Sequence, residues 1–210
     1  MDAQKSMQNY IDELSSNSPT PGGGNVSAVC GALASSLGSM VCNLTIGKRK
    51  YLDFETGAKD LLKKFEGLKK DFLALAIKDN HSFERVMEAF KLPKDTDVQK
   101  SDRKDAIDKA TMEAAVIPAD VIIKCKELLP LLERIAENGN QNSLSDAGVA
   151  ISITSAAAEG AFLNVAINCS GLQNQVTAEE FLKKSEYTYE EIKEKSDLII
   201  SRIIKKMKNQ

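Results

Sequence analysis

The chain has 210 residues, and its 28 Lys and Arg against 30 Asp and Glu leave a formal net charge of only -2. Such a balance creates no global field for nucleic acid or an anionic membrane, so a small molecule or another protein is the expected partner. The length suffices for one sizeable core without metal or disulfide staples. Cys30, Cys42, Cys125 and Cys169 lie far apart with no CxxC pair, and read as buried thiols of a reducing compartment. The opening MDAQKSMQNYIDEL is acidic and amphipathic, unlike a signal peptide, so a cytoplasmic location is expected.

Helical periodicity runs through nearly every long segment, and no stretch alternates apolar and polar residues long enough to build a sheet. The chain is therefore predicted to be all-α, one domain over residues 1–210 built as a bundle of five or six long, partly kinked helices. A short first helix is expected over residues 4–15, ended by SSNSP. After PGGGN comes a segment, residues 26–46, that has the length of a membrane span. Its Ser, Gly, Ala and Asn read instead as the central helix of a soluble bundle. Ser27, Gly31, Ser35 and Gly38 on one side, or Ala28, Ala32, Ser39 and Cys42 on the other, admit a close neighbour. The loop GKRKYLDFETG leads into a long helix over residues 55–90, which Pro93 terminates. The next helix is expected over residues 98–137, bent at Pro118, with Pro130 a second candidate breaking point. Ser143 and Asp146, in capping-box spacing, open a helix lasting to residue 169, and Thr177 with Glu180 open the last.

Several residues stand out against this background. Gly22, Gly23 and Gly24, after Pro21, precede a helix whose N-terminal amides could receive an anion or a polar ligand edge. A flexible turn is the plain alternative, although each glycine costs about 0.5–1 kcal/mol of chain entropy that a plain turn could avoid. No Lys follows at phosphate-loop spacing. In the third helix the apolar stripe Leu61, Phe65, Leu68, Phe72, Leu75, Asp79, Phe83, Val86, Phe90 is interrupted by one carboxylate. Asp79 must be neutral, paired, facing a cavity, or capping a local break. Asn164 and Asn168 fall on one face of an otherwise apolar helix, where they could knit helices together or read a heterocycle's edge. Lys48, Arg49 and Lys50 could bind a carboxylate or remain a solvated run, and Asp146 is accounted for by capping alone. With a single histidine, His81, expected exposed, no cysteine pair and no HExxH spacing, a histidine relay or transition-metal hydrolase is not expected. Carboxylates and amides must do any chemistry.

Read together, SPTPGGGNVSAVCGALASSLGSMVCNLTIGKRKY, the DNHSF around Asp79, LPK at residues 92–94, GNQNSLSDAGVA at 139–150 and FLNVAIN at 162–168 resemble the cyclodeaminase/cyclohydrolase family of one-carbon folate enzymes. That family includes the C-terminal half of formiminotransferase-cyclodeaminase. The resemblance covers almost the whole chain and implies an all-helical homodimer with a tetrahydrofolate derivative as substrate and no metal. One branch closes 5-formiminotetrahydrofolate to 5,10-methenyltetrahydrofolate with release of ammonia; another hydrolyses the methenyl bridge to 10-formyltetrahydrofolate. A helical binding protein without turnover is the reading outside the enzyme class. The resemblance makes Asp79 the catalytic acid. It departs from the family's DxxAF at Ser82, which adds a hydroxyl near the expected site. By residue type, the Pro21–Gly24 turn would approach the pterin, Asn164 and Asn168 would read its edge, and Lys48, Arg49 and Lys50 would meet the glutamate carboxylates. Asp146 and Ser82 complete the expected binding set. A separate formiminotransferase is a candidate partner, since the transferase half fused in animal proteins is not part of this sequence.

Overall fold

The computed structural model describes residues 6–209. Among them are six α-helices and no strand: α1 (Met7–Leu14), α2 (Gly23–Thr45), α3 (Glu55–Phe90), α4 (Asp97–Asn138), α5 (Leu144–Ser170) and α6 (Gln175–Lys208). Two short 3-10 turns, Arg49–Phe54 and Gln141–Ser143, join α2 to α3 and α4 to α5. The all-α bundle expected from periodicity is the observed architecture. The first residues of the expected opening helix, 4 and 5, lie outside the described residues.

α2 sits at the centre, against α3, α5 and α4. Its small residues let that happen: a Cβ at Gly38 would lie 2.8 Å from the Phe65 ring, and one at Gly31 would overlap the ring of Phe72. Phe65 and Phe72 are fully buried, so α3 inserts two aromatic side chains into the grooves that the glycines leave. Burying such a side chain contributes about 1.5–3 kcal/mol. A Cβ at Gly160 of α5 would press on Ser27, so α5 also packs closely on α2.

Both α2 and α5 are long and apolar enough to cross a membrane, each with a mean hydropathy of 1.4. In α2, 67% of that apolar stretch is buried, as suits a core helix; in α5 only 39% is.

Three local expectations are corrected. α4 runs unbroken from Asp97 to Asn138 with both Pro118 and Pro130 inside it. Each proline removes one i→i−4 bond, but Val121, Cys125, Leu128, Leu129 and Leu132 are buried around them and hold the segment in place. The Ser143–Asp146 capping box does not form: Ser143 ends a 3-10 turn and makes no side-chain cap bond, because Asn140 caps that turn instead. α6 likewise starts before Thr177, with the Asn174 side chain accepting from the Thr177 N–H. The genuine capping box is Thr96–Gln99 at the start of α4.

Candidate active site

The stripe of α3 that periodicity marks as apolar divides at Asp79. Leu61, Phe65, Leu68, Phe72 and Leu75 are buried in the core, whereas Phe83 and Val86 are only partly buried and Phe90 is 48% exposed. From Asp79 onward the stripe leaves the core and lines a cavity of about 470 Å³. The N-terminal turn of α2 closes one end of it, and α4 contributes Ile107 and Thr111. The last turns of α5 supply Asn164 and Asn168. Asp79 is the one ionisable side chain in this lining.

α2 starts without a cap of its own, since Gly22 at the N-cap offers no side chain. The Asp79 carboxylate takes that place from another helix, accepting from the backbone N–H of Asn25, one of the otherwise unpaired amides of the first turn. The contact needs bare backbone. A Cβ on Gly24 would overlap the Asp79 carboxylate, with Cγ only 2.8 Å away. A Cβ on Gly23 would instead meet the Asn164 amide nitrogen at 3.1 Å.

Burial pushes the Asp79 pKa up from its ordinary 3.8, and the Asn25 N–H opposes that rise without cancelling it. No lysine or arginine forms an ion pair with Asp79 among the described residues. α3 also continues unbroken through it, so the paired and break-capping options fall away and Asp79 faces the cavity.

Behind Asp79, the fully buried Asn25 side chain is fixed on all sides. It accepts from the Tyr10 hydroxyl at 2.9 Å and donates to the Ala76 carbonyl at 2.7 Å and to Asn80 Oδ1 at 3.1 Å. Burial, then Cys30 and Asp79, push the Tyr10 phenol up, which keeps it neutral and a donor. The result is one carboxyl group with one oxygen held by a backbone amide and a raised affinity for a proton. A group so arranged can accept and return a proton at a ligand in the cavity.

A family model described as formiminotransferase-cyclodeaminase matches residues 6–187. The chain belongs to the formiminotransferase-cyclodeaminase family. Among its relatives, a methenyltetrahydrofolate cyclohydrolase of Methylorubrum extorquens is 42% identical over 186 residues, covering 89% of each protein. The mouse formimidoyltransferase-cyclodeaminase is 29% identical over 195 residues, which are 93% of this chain and 36% of the mouse protein. A crystal structure of a formiminotetrahydrofolate cyclodeaminase from Thermotoga maritima superposes with a TM-score of 0.80 at 31% identity, covering 96% of this chain and 98% of that one.

Within this family fold the structure brings together Gly22, Gly23, Gly24, Asp79, Ser82, Asn164 and Asn168. The Asn164 amide nitrogen donates to the Gly160 carbonyl at 2.8 Å, so the side chain is braced against its own helix beside the glycine turn. Ser82 lines the cavity but is 2% exposed, and its hydroxyl donates at 2.7 Å to the carbonyl of Asp79. The extra hydroxyl expected near the site is thus occupied locally. Pro21, after a cis Thr20–Pro21 bond, is buried and outside the lining; Pro19 and Thr20 take its place.

Two expected groups lie elsewhere. Lys48, Arg49 and Lys50 are exposed beyond the C-terminus of α2, whose 23 residues put them roughly 33 Å from the glycine turn. Within one protomer they cannot meet a ligand held at Asp79. Asp146 sits in the first turn of α5, about 27 Å along that helix from Asn164. Sequence reasoning missed Asn25, Thr111 and Ile107. Asn25 had a signal, being the polar residue that directly follows the glycines; the two α4 residues carry none.

Among the described residues no group of three or more His, Cys, Asp or Glu could hold a metal ion.

Proposed function

We propose that this protein is a one-carbon tetrahydrofolate enzyme that handles the methenyl bridge between N5 and N10. The supporting observation is Asp79, the one ionisable side chain of the cavity, with its pKa raised and one oxygen held by the Asn25 N–H. In the cyclodeaminase direction, N10 attacks the formimino carbon of 5-formiminotetrahydrofolate, the C–N bond to the leaving amine breaks, and 5,10-methenyltetrahydrofolate and ammonia result. Asp79 takes the proton from N10 and returns it to the departing nitrogen. A formiminotransferase, fused or separate, would supply that substrate.

The cyclohydrolase reading uses the same residue. Water adds to the methenyl carbon, Asp79 takes one of its protons and passes it to N5 as the C–N5 bond breaks, and the remaining hydroxyl proton leaves to solvent as the formyl C=O forms, giving 10-formyltetrahydrofolate. It is favoured by the 42% identity to the Methylorubrum cyclohydrolase. Following methenyltetrahydrofolate absorbance with each folate separates the two: appearance from the formimino compound marks deamination, and disappearance of added methenyl compound marks hydrolysis. No change with either would leave a folate-binding protein without turnover and end the enzymatic reading.

The same proposal includes a homodimer in the cytoplasm. Leu33 and Leu44 of α2 and Val149, Leu163 and Ile167 of α5 are all at least 40% exposed, on two helices that pack side by side. Isolated apolar residues on a surface are ordinary, but a row along two adjoining helices is the kind of patch a second copy covers. Sedimentation equilibrium is expected to give twice the chain mass, and a monomer at every concentration would contradict the dimer. The four free cysteines, three of them buried, are compatible with a reducing compartment.

A further inference from the structure

The cavity holds one acid and no base among its lining residues. A folate carries at least two carboxylates on its glutamate tail, and the basic cluster at Lys48–Lys50 is at the far end of α2. A cation does stand beside one of the lining residues. Arg103 of α4 lies one turn before the lining residue Ile107, and its guanidinium carbon is 5.4 Å from the ring centre of Phe90, which also lines the cavity.

Arg103 is held in place. Its Nε and Nη2 donate to the Phe90 carbonyl at 3.2 and 3.0 Å, at the open C-terminal end of α3. No carboxylate pairs with it among the described residues. The guanidinium is thus fixed by stacking and by a carbonyl, and retains donors that neither contact uses.

The spacing fits an elongated ligand. Phe90 follows Asp79 by eleven positions on one helix, a rise of about 16 Å. Phe83, Val86 and Ile107 line the path between them. In a tetrahydrofolate, a benzoyl ring and an amide likewise lie between N10 and the glutamate carboxylates. An apolar channel with a proton-handling group at one end and an unpaired guanidinium at the other matches that order of parts.

Resting on the folate reading above, we propose that Arg103 receives the glutamate carboxylate of the substrate, with the aminobenzoyl ring lying along Phe83, Val86 and Ile107. Arg103 is a binding residue, remote from the reacting atoms.

Direct binding tests this apart from turnover. Calorimetry would compare 5-formyltetrahydrofolate with 5-formyltetrahydropteroate, the same molecule without its glutamate, on the intact protein and on Arg103→Gln. The intact protein is expected to bind the folate about ten- to a hundredfold tighter than the pteroate, and Arg103→Gln to erase that preference while holding the pteroate unchanged. Unchanged pteroate binding also shows that the variant is folded. Equal binding of the two ligands by the intact protein, a folate preference that survives Arg103→Gln, or a parallel loss for both ligands would overturn the proposal; the last would leave Arg103 as a cap of α3. An Arg103-dependent preference in a protein that turns over neither folate would uphold this inference while the enzymatic reading fails.

Discussion

Asp79→Asn is expected to lower turnover about a hundred- to ten-thousandfold, the range that general acid-base groups contribute. The amide keeps the shape of the carboxyl and can still accept the Asn25 N–H, but it cannot exchange a proton at neutral pH. Stability should be unchanged or slightly raised. Because burial lifts the Asp79 pKa above its ordinary 3.8, the folded state holds the proton more tightly than the unfolded chain does. The cost of the buried charge is therefore fully present above the raised value and disappears as pH falls below 3.8. Any stabilisation by Asn should accordingly be visible at neutral pH and fade in acid. The same shift places the acid limb of the wild-type rate profile above 3.8, since Asp79 must be ionised to take the first proton. Turnover and denaturant midpoint measured on one variant decide the matter. A protein that melts early yet keeps normal turnover per folded molecule would return Asp79 to a purely structural role as the cap of α2.

Gly24→Ala is expected to cost about a hundredfold in turnover with the fold retained. In an ordinary helix the change would stabilise by about 0.4–1 kcal/mol, because alanine loses less chain entropy on folding. Here the new methyl group would overlap the Asp79 carboxylate, so the carboxylate must turn away from the Asn25 N–H. A misplacement of about 1 Å at a reacting group is enough for such a loss. Gly23→Ala is the built-in comparison. Its Cβ would meet the end of the Asn164 side chain at 3.1 Å, which can shift by a few tenths of an ångström, so turnover should change only a few-fold. Steady-state rates and thermal midpoints of the two variants provide the check. Equal losses in both would mean that the glycines serve the turn itself and not the approach of Asp79.

The glycine contrast shows where sequence reading stops. Three consecutive glycines announce that something comes close, but adjacent positions in a helix point about a quarter-turn apart, and only the packing of α3 and α5 around α2 tells which glycine faces Asp79 and which faces Asn164. The all-helical class, the limits of α3 and the anomaly of Asp79 were legible, because hydrophobic periodicity and the expense of a carboxylate in an apolar stripe are local properties. Asn25, Thr111, Ile107 and Arg103 were not, because each gains its meaning from a residue on another helix. Pro130 of α4 reads as a candidate break for the same reason: the missing hydrogen bond is written in the sequence, whereas the burial that outweighs it is not. Lys48, Arg49 and Lys50 make the point in reverse. Their charge suits a folate tail, and a sequence records charge but not distance. Composition thus determined which chemistry this chain can perform, and the packing of long, rigid helices around α2, itself about 33 Å long, decided which residues can perform it together.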